Sequence, residues 1–466
     1  MSRLVIVSNR VPLPSERGAR AGGLAVALAD ALRPGSLWFG WSGKRSARGA
    51  SVVNTQQSDR VTYATIDLTD ADYKAYYVNF SNGALWPLLH SRLGLMEFHA
   101  EDLEGYSRVN AQFATALAPL LRPDDTIWVH DYHLMKLGAE LRALGVTNRI
   151  GFFLHTPFVP PAVFTTLPRA ADLLRDLCAY DVVGFHTLTY QRFFLSALSE
   201  CLGARTEADG RFSHGGRTSW AIVDPIGIDA AGFARTAAIA ASGPDVKALR
   251  ASLGNTHLAI GADRLDYSKG LIKRFEAVDR FFANYPQYRQ QVTLLQVAAR
   301  SREEHGAYQR LRRDLDRVVG DINGRYSEFD WAPLRYITRT VRRDSLAGFY
   351  RLARMAIVTP LRDGMNLVAK EYIAAQDPED PGVLILSSFA GVAEEFTDAL
   401  IVNPYDSDET AAAMHQALTM GLAERQDRWR AMHEKAMTNT AERFCDVFLS
   451  YLNREGAQRP KELEMS

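Results

Sequence analysis

At 466 residues the chain is about three times the size of an average domain, so two or three domains are expected. Its 47% hydrophobic and 23% charged residues exclude disordered, collagenous and coiled-coil classes. Lys plus Arg and Asp plus Glu each total 54, so no bulk field draws the protein to nucleic acid or anionic lipid, and any anion must be held by a local cluster.

The opening MSRLVIVSNRVPLP lacks the long apolar stretch and cleavage site of a signal peptide. No run of about 18 apolar residues suggests a membrane span. Cys178, Cys201 and Cys445 lie far apart and match no zinc or redox spacing. A cytoplasmic protein without disulfides is therefore expected.

Short apolar, β-branched runs occur at residues 4–7, 127–129, 150–154, 182–185, 258–260, 292–297, 355–358 and 383–386. They predict strands buried on both faces. Stretches of helical period lie at 24–32, 134–144, 271–284, 303–319 and 345–352. This alternation predicts an α/β fold with parallel sheets. One sheet would need an unusual number of strands, so two doubly wound units are expected. The Ala-, Gly- and Ser-rich segment 227–251 separates them, giving 1–235 and 236–440. The charged stretch 455–466 should fray.

In such folds ligands lie beyond the carboxyl ends of the strands. The first strand ends in Ser8-Asn9-Arg10, and Gly18, Gly22 and Gly23 precede a helix whose start would favour a phosphate. There is no GxGxxG, so a nicotinamide cofactor is poorly supported. Trp38-Phe39-Gly40-Trp41-Ser42-Gly43 suits either a sugar platform or core packing. Tyr76, Tyr77, Asn82 and Trp86 could ring an acceptor pocket. Two further strands deliver His130-Asp131-Tyr132-His133 and His155-Thr156-Pro157-Phe158, whose spacing fits no zinc motif.

In the second half, Arg264 and Lys269 leave one loop and together form a clamp for a diphosphate. Arg300-Ser301-Arg302 also suits an anion. In the segment from Pro360 to Tyr372, Asp363-Gly364 makes a turn and Asn366 or a neighbour starts a helix whose free N–H groups face that turn. Asp363 could bind sugar hydroxyls and Glu371 ribose hydroxyls. A capped helix with solvated charges fits the same local pattern. The DxD triplets Asp70-Ala71-Asp72, Asp314-Leu315-Asp316 and Asp406-Ser407-Asp408 read as helix starts, turns or a solvated face, and no metal is expected.

The segments VSNR, AGGLAVAL, WFGWSG, WVHDYHL, GFFLHTPF, DRLDYSKG and TPLRDGMNLVAKEY, in order along nearly the whole chain, resemble the trehalose-6-phosphate synthases. That family comprises retaining glucosyltransferases of the GT-B architecture, in which two Rossmann-like domains face across a cleft. The resemblance implies transfer of glucose from a nucleotide sugar, usually UDP-glucose, to glucose 6-phosphate. The products would be α,α-trehalose 6-phosphate and UDP. It also implies an acceptor-binding first domain, a nucleotide-sugar-binding second domain and a helix near 441–452 crossing back to the first.

By the same resemblance, Arg10, Tyr77, Trp86 and Arg302 would hold the acceptor phosphate, with Trp41 lining that pocket and Asp131 binding acceptor hydroxyls. Gly22 and Gly23 would close over the donor diphosphate opposite Arg264 and Lys269. His155 and Asp363 would hold the transferred glucose. The backbone of Met365, Asn366, Leu367 and Val368 would meet the phosphates, and Glu371 the ribose. Trp86 and Thr156 would influence the acceptor anomer. Val341 lies near the expected nucleobase pocket and leaves UDP, GDP and ADP donors open. Arg264, Lys269, Asp363, His155 and Asp131 form the expected catalytic set.

Asp363 and Glu371 are better placed as ligands than as nucleophiles, so front-face attack is expected rather than a covalent intermediate. The nucleotide sugar is a substrate and no cofactor is expected. The expected partners are these small molecules and a second copy of the chain. Competing readings are a transferase using another phosphorylated acceptor such as glycerol 3-phosphate or making a pseudo-glycoside, a glycan phosphorylase with a pyridoxal phosphate lysine, and a non-catalytic sugar-phosphate sensor.

Overall fold

The computed structural model describes residues 3–14, 28, 32–300 and 306–453. Ten strands form the first sheet, β1 (Leu4–Arg10), β2 (Leu37–Arg45), β3 (Val53–Ser58), β4 (Val61–Leu68), β5 (Thr126–His130), β6 (Arg149–Phe153), β7 (Val182–Phe185), β8 (Arg205–Thr206), β9 (Arg211–His214) and β10 (Arg217–Val223). Six form the second, β11 (His257–Arg264), β12 (Val292–Ala299), β13 (Leu334–Ile337), β14 (Met355–Val358), β15 (Val383–Ser387) and β16 (Leu400–Val402).

The first sheet runs β3-β4-β2-β1-β5-β6-β7-β10-β9-β8. It is parallel from β4 to β10, with antiparallel strands outside. The second runs β13-β12-β11-β14-β15-β16 and is wholly parallel. Its strand order reverses between β11 and β14, and that of the first between β1 and β5. In doubly wound sheets ligands bind at the carboxyl ends of the strands beside such switch points. Arg10 and Arg264 end β1 and β11, and Asp131 and Asp363 follow β5 and β14.

The runs predicted as strands are strands, and their residues fill the cores on both sides of each sheet. The edge strands β3, β8, β13 and β16 were not anticipated, nor were β2, β4, β9 and β10. The helix expected at 303–319 is seen as Gly306–Tyr326, and that at 345–352 as Arg343–Leu352. The stretch at 134–144 splits into a 3₁₀ turn and the short helix Leu137–Ala143. Helix 24–32 falls largely outside the described residues.

β10 ends at Val223, and the Ala230–Ala240 helix packs on the second lobe's Arg343–Leu352 and Leu367–Ala375 helices. A division after residue 235 therefore cuts a helix that packs as one unit. The chain returns in the Ala441–Leu452 helix, which lies on β6 and β7 of the first sheet. Phe448 stacks on Trp128 at 4.6 Å. It fits because β6 and β7 carry Gly151 and Gly184, where an added Cβ would stand 2.6 and 2.9 Å from the Phe448 ring.

Candidate active site between the two lobes

In the first lobe, Arg10 passes over Gly43 of β2, where a Cβ would lie 2.8 Å from its Nε. Next to it stands an aromatic wall. Trp41 lies 5.5 Å from Tyr73 and 5.8 Å from Tyr77, and Tyr77 stacks on His133 at 5.7 Å. Trp41 donates its Nε1 to Lys44 O, so it offers the wall only its ring. Trp38 belongs to the core, stacked on Tyr63 and bonded to Ser8 Oγ. Tyr76 is also core, its hydroxyl donating to Asn9 Oδ1. It does not ring a pocket.

Tyr73–Leu85 forms a π-helix, a wide coil often found at functional sites. Buried Asn82 braces it by donating to Tyr77 O at 2.7 Å and accepting from Tyr132 OH at 2.9 Å. The coil runs into Trp86, whose ring lies 3.9 Å from His90 and 5.6 Å from Tyr132. Trp86 gives its single donor to Asp266 of the second lobe, at 3.3 Å. The group it offers a ligand is its ring, not an N–H.

Asp131 has φ 74 and ψ 165, a conformation that side chains rarely tolerate. Its Oδ1 accepts from the N–H groups of Tyr132 (3.0 Å) and His155 (3.3 Å), which helps hold the strained turn. His155 Nε2 is 3.0 Å from His130 Nδ1. Burial, followed by a neighbouring imidazole in each case, holds both rings well below the usual histidine value. At neutral pH His155 is an uncharged polar group. The Thr156 hydroxyl is buried without a hydrogen-bond partner among the described residues.

The second lobe supplies the charges. Lys269 Nζ donates to Asp363 Oδ2 at 2.5 Å, and Asn366 Nδ2 donates to the same oxygen at 3.0 Å. Burial pushes the Asp363 carboxyl up, but the Lys269 ammonium and Asn366 outweigh it, so its pKa lies below the usual value. Asn366, at φ 84, caps the Leu367–Ala375 helix by accepting from Ala369 N. Met365 is buried, whereas Leu367 and Val368 are half-buried at the helix start. That end of the helix carries the unpaired N–H groups and positive dipole that favour phosphate.

Arg264 is exposed at the end of β11, its guanidinium 5.6 Å from the Trp86 ring. Glu371 points into the protein with Arg343 at 3.6 Å, and burial pushes its carboxyl to about 7 despite that cation. Val341 packs at the edge of the second core, just before the Arg343–Leu352 helix.

The halves touch at the site itself. A Cβ on Gly364 would lie 2.0 Å from His155 O, so glycine is required for this approach. Tyr190 OH of the first lobe donates to Asp363 O at 2.8 Å. His155, Asp131, Asp363 and Lys269 are brought together at this junction and Trp86 faces Arg264, whereas Arg10 and Tyr77 belong to the aromatic wall and Glu371 lies within the Leu367–Ala375 helix. Gly22, Gly23 and Arg302, like Gly18, lie outside the described residues.

Of the DxD triplets, Asp72 is held by Thr69, Arg108 and Gln112, Asp314 and Asp316 lie on the Gly306–Tyr326 helix, and Asp406 caps the Ser407–Thr419 helix. Among the described residues no cluster of three or more His, Cys, Asp or Glu is arranged to hold a metal ion. No disulfide joins the three cysteines, and no described helix is long and apolar enough to cross a membrane.

Sequence reasoning missed Asp266, Arg274, Tyr190 and Arg343. Arg274 is fully buried and ties the ends of three strands together through Asp263, Gln296 and Thr359. Asp266 had a signal, since it stands between the two expected clamp residues. Tyr190 and Arg343 had none, because they come from helices outside every motif.

Residues 2–454 match the sequence model of glycosyltransferase family 20. The chain belongs to glycosyltransferase family 20. It is 50% identical over 462 residues to a trehalose-6-phosphate synthase of Sinorhizobium fredii, covering 97% of this chain and 98% of the relative. The fold of this family 20 member matches an α,α-trehalose-phosphate synthase (UDP-forming) from Burkholderia xenovorans crystallised with glucose-6-phosphate. The TM-score is 0.93 at 45% identity, over 97% of this chain and 100% of that one. It also matches the Escherichia coli enzyme bound with UDP-2-fluoro glucose, with TM-score 0.93 at 44% identity over 98% of this chain and 100% of that one. The two sheets are thus those of the GT-B architecture.

Proposed function

We propose that this chain transfers glucose from UDP-glucose to glucose 6-phosphate with retention, giving α,α-trehalose 6-phosphate and UDP. The observation that carries the reading is one junction. There the Lys269–Asp363 pair and the Asn366-capped helix start meet His155 and Asp131 from the other sheet. Family membership, and relatives whose structures hold glucose-6-phosphate and UDP-2-fluoro glucose, support the same two substrates.

In this reading Arg264, Lys269 and the start of the Leu367–Ala375 helix hold the donor diphosphate, and Gly22 and Gly23 close over it. The backbone from Met365 to Val368 lies along the phosphates, Glu371 takes the ribose hydroxyls and Val341 lies beside the base. His155 and Asp363 bind the transferred glucose. Arg10, Tyr77 and Arg302 hold the acceptor phosphate against the Trp41 and Trp86 rings. Asp131 orients the attacking hydroxyl, and Trp86 and Thr156 set the acceptor anomer.

The bond from the anomeric carbon to the departing phosphate oxygen breaks while the bond to the acceptor oxygen forms on the same face. The acceptor proton passes to the departing oxygen. Negative charge grows on the diphosphate, where the fixed cations and helix dipole stabilise it. The acceptor-binding lobe ends, and the donor-binding lobe begins, in the connection 224–229. A cytoplasmic homo-oligomer completes the proposal.

The test is product analysis by NMR after mixing the protein with glucose 6-phosphate, glycerol 3-phosphate and UDP-, GDP- or ADP-glucose. An α,α-linked disaccharide phosphate plus UDP is the expected result. Free glucose alone, or a preferred glucosyl glycerol phosphate, overturns it.

A further inference from the structure

Asp266 is fully buried in the loop between Arg264 and Lys269. Its Oδ1 accepts from Ser268 N at 3.0 Å, Ser268 Oγ at 2.9 Å and Trp86 Nε1 at 3.3 Å, and its Oδ2 from Tyr308 OH at 3.1 Å. Capping the 3₁₀ turn Tyr267–Lys269 requires only the Ser268 bond. The bond to Trp86 spans 180 residues and joins the lobes. Trp86 in turn rests on His90 and Tyr132 and lies beneath the Arg264 guanidinium. Tyr132 immediately follows Asp131, and Lys269 ends the turn that Asp266 caps. One carboxylate therefore fixes both the loop bearing the two cations and the indole bordering the expected acceptor pocket.

We propose that Asp266 is a positioning residue which, through Trp86, couples occupation of the acceptor pocket to binding of the donor diphosphate. The proposal takes its two ligands from the function given above. A buried carboxylate is costly when its donors are lost, so the loop is well ordered only while Trp86 is docked against it. An acceptor seated against the Trp86 ring holds the indole in that place and pre-organises Arg264 and Lys269. By linkage, the diphosphate strengthens acceptor binding by the same factor.

The experiment is calorimetric titration of the full chain with UDP, with and without saturating glucose 6-phosphate. In the unaltered protein glucose 6-phosphate is expected to tighten UDP about fivefold or more, within the usual range of such couplings. Trp86→Phe keeps the ring but loses the donor, and should bring that factor close to one. Asp266→Ala should do the same, the double variant should go no lower, and Asp266→Asn, which retains an acceptor oxygen, should keep most of the coupling. Full coupling in Trp86→Phe overturns the proposal. So does an Asp266→Ala protein whose UDP affinity falls equally with and without glucose 6-phosphate, and so does UDP binding to the unaltered protein that ignores glucose 6-phosphate. Failure of the unaltered protein to bind either ligand defeats the proposed function itself, and the coupling with it.

Discussion

In the first lobe, the polar groups at the cleft are steadied by stacked rings and by the backbone. His155 pairs with His130 beside Phe153 and His186, and Asp131 is bonded into its own strained turn. Burial leaves this histidine stack uncharged at neutral pH, with His186 lowered to about 3. In the second lobe the corresponding groups are held by charge, with Lys269 on Asp363, Arg274 on Asp263 and Arg343 near Glu371. Shape and neutral hydrogen bonds suit an acceptor whose ring charge hardly changes during transfer. Fixed charges suit the side on which negative charge grows.

That contrast is broken most severely at Lys269. Lys269→Ala removes the cation proposed to hold the departing diphosphate and should lower kcat by about a hundredfold or more. It also leaves Asp363 buried without its partner, so the melting temperature should fall as well. Steady-state turnover and calorimetric UDP binding check this. A variant with near-normal turnover shows that the charged side does not stabilise the leaving group.

Glu371 sharpens the comparison, because it is a carboxyl of the charged lobe raised by burial rather than lowered by its partner. Its pKa of about 7 lies above the usual 4.5. The folded chain therefore binds this proton more tightly than the unfolded chain. Stability from this group is fully present below pH 4.5 and is lost as pH rises through about 7. With Glu371 on the ribose as proposed, donor binding has the opposite dependence, since the carboxylate accepts hydroxyl hydrogens through two charged oxygens, more strongly than the neutral acid. UDP affinity should rise more steeply through pH 7 in the unaltered protein than in Glu371→Gln, where only the ligand's own phosphate titrates, with the variant about tenfold weaker above that pH. A pH series of calorimetric titrations with paired melting curves reads both slopes.

The two lobes also differed in how far their sites could be read from sequence. The second-lobe site comes mainly from two contiguous segments, each a buried apolar strand followed by a turn and a helix. Arg264, Lys269, Asp363 and Glu371 were therefore legible as a set. The first-lobe wall is assembled from Arg10, Trp41, Tyr77 and Trp86 on separate elements, two of them at or within a π-helix whose period no amphipathic pattern announces. Tyr76 and Tyr77 are neighbours in sequence, yet one is core and the other wall. Asp266 and Tyr190 reach across the cleft, and such contacts depend on how the two sheets meet. Eight strands were readable because burial on both faces writes a continuous apolar run, whereas β2 and β4, also largely buried, break theirs with Gly40, Ser42, Thr62 and Thr65. The edge strands, half in solvent, leave no such trace.

The smallest expected effect tests whether the first lobe's strained turn serves ligand binding rather than stability. Asp131 holds φ 74 with ψ 165, where a side chain costs about 1–3 kcal/mol. Glycine adopts this conformation freely. The Asp131 side chain also accepts two backbone N–H groups, whose loss costs about 1–3 kcal/mol. In Asp131→Gly these terms oppose each other, so the melting temperature should move by only a few degrees, while the KM for glucose 6-phosphate rises and turnover falls. Thermal melting and steady-state kinetics separate the two effects. A strongly destabilised variant with unchanged KM shows that Asp131 is there for the turn, and leaves the acceptor hydroxyls to another residue.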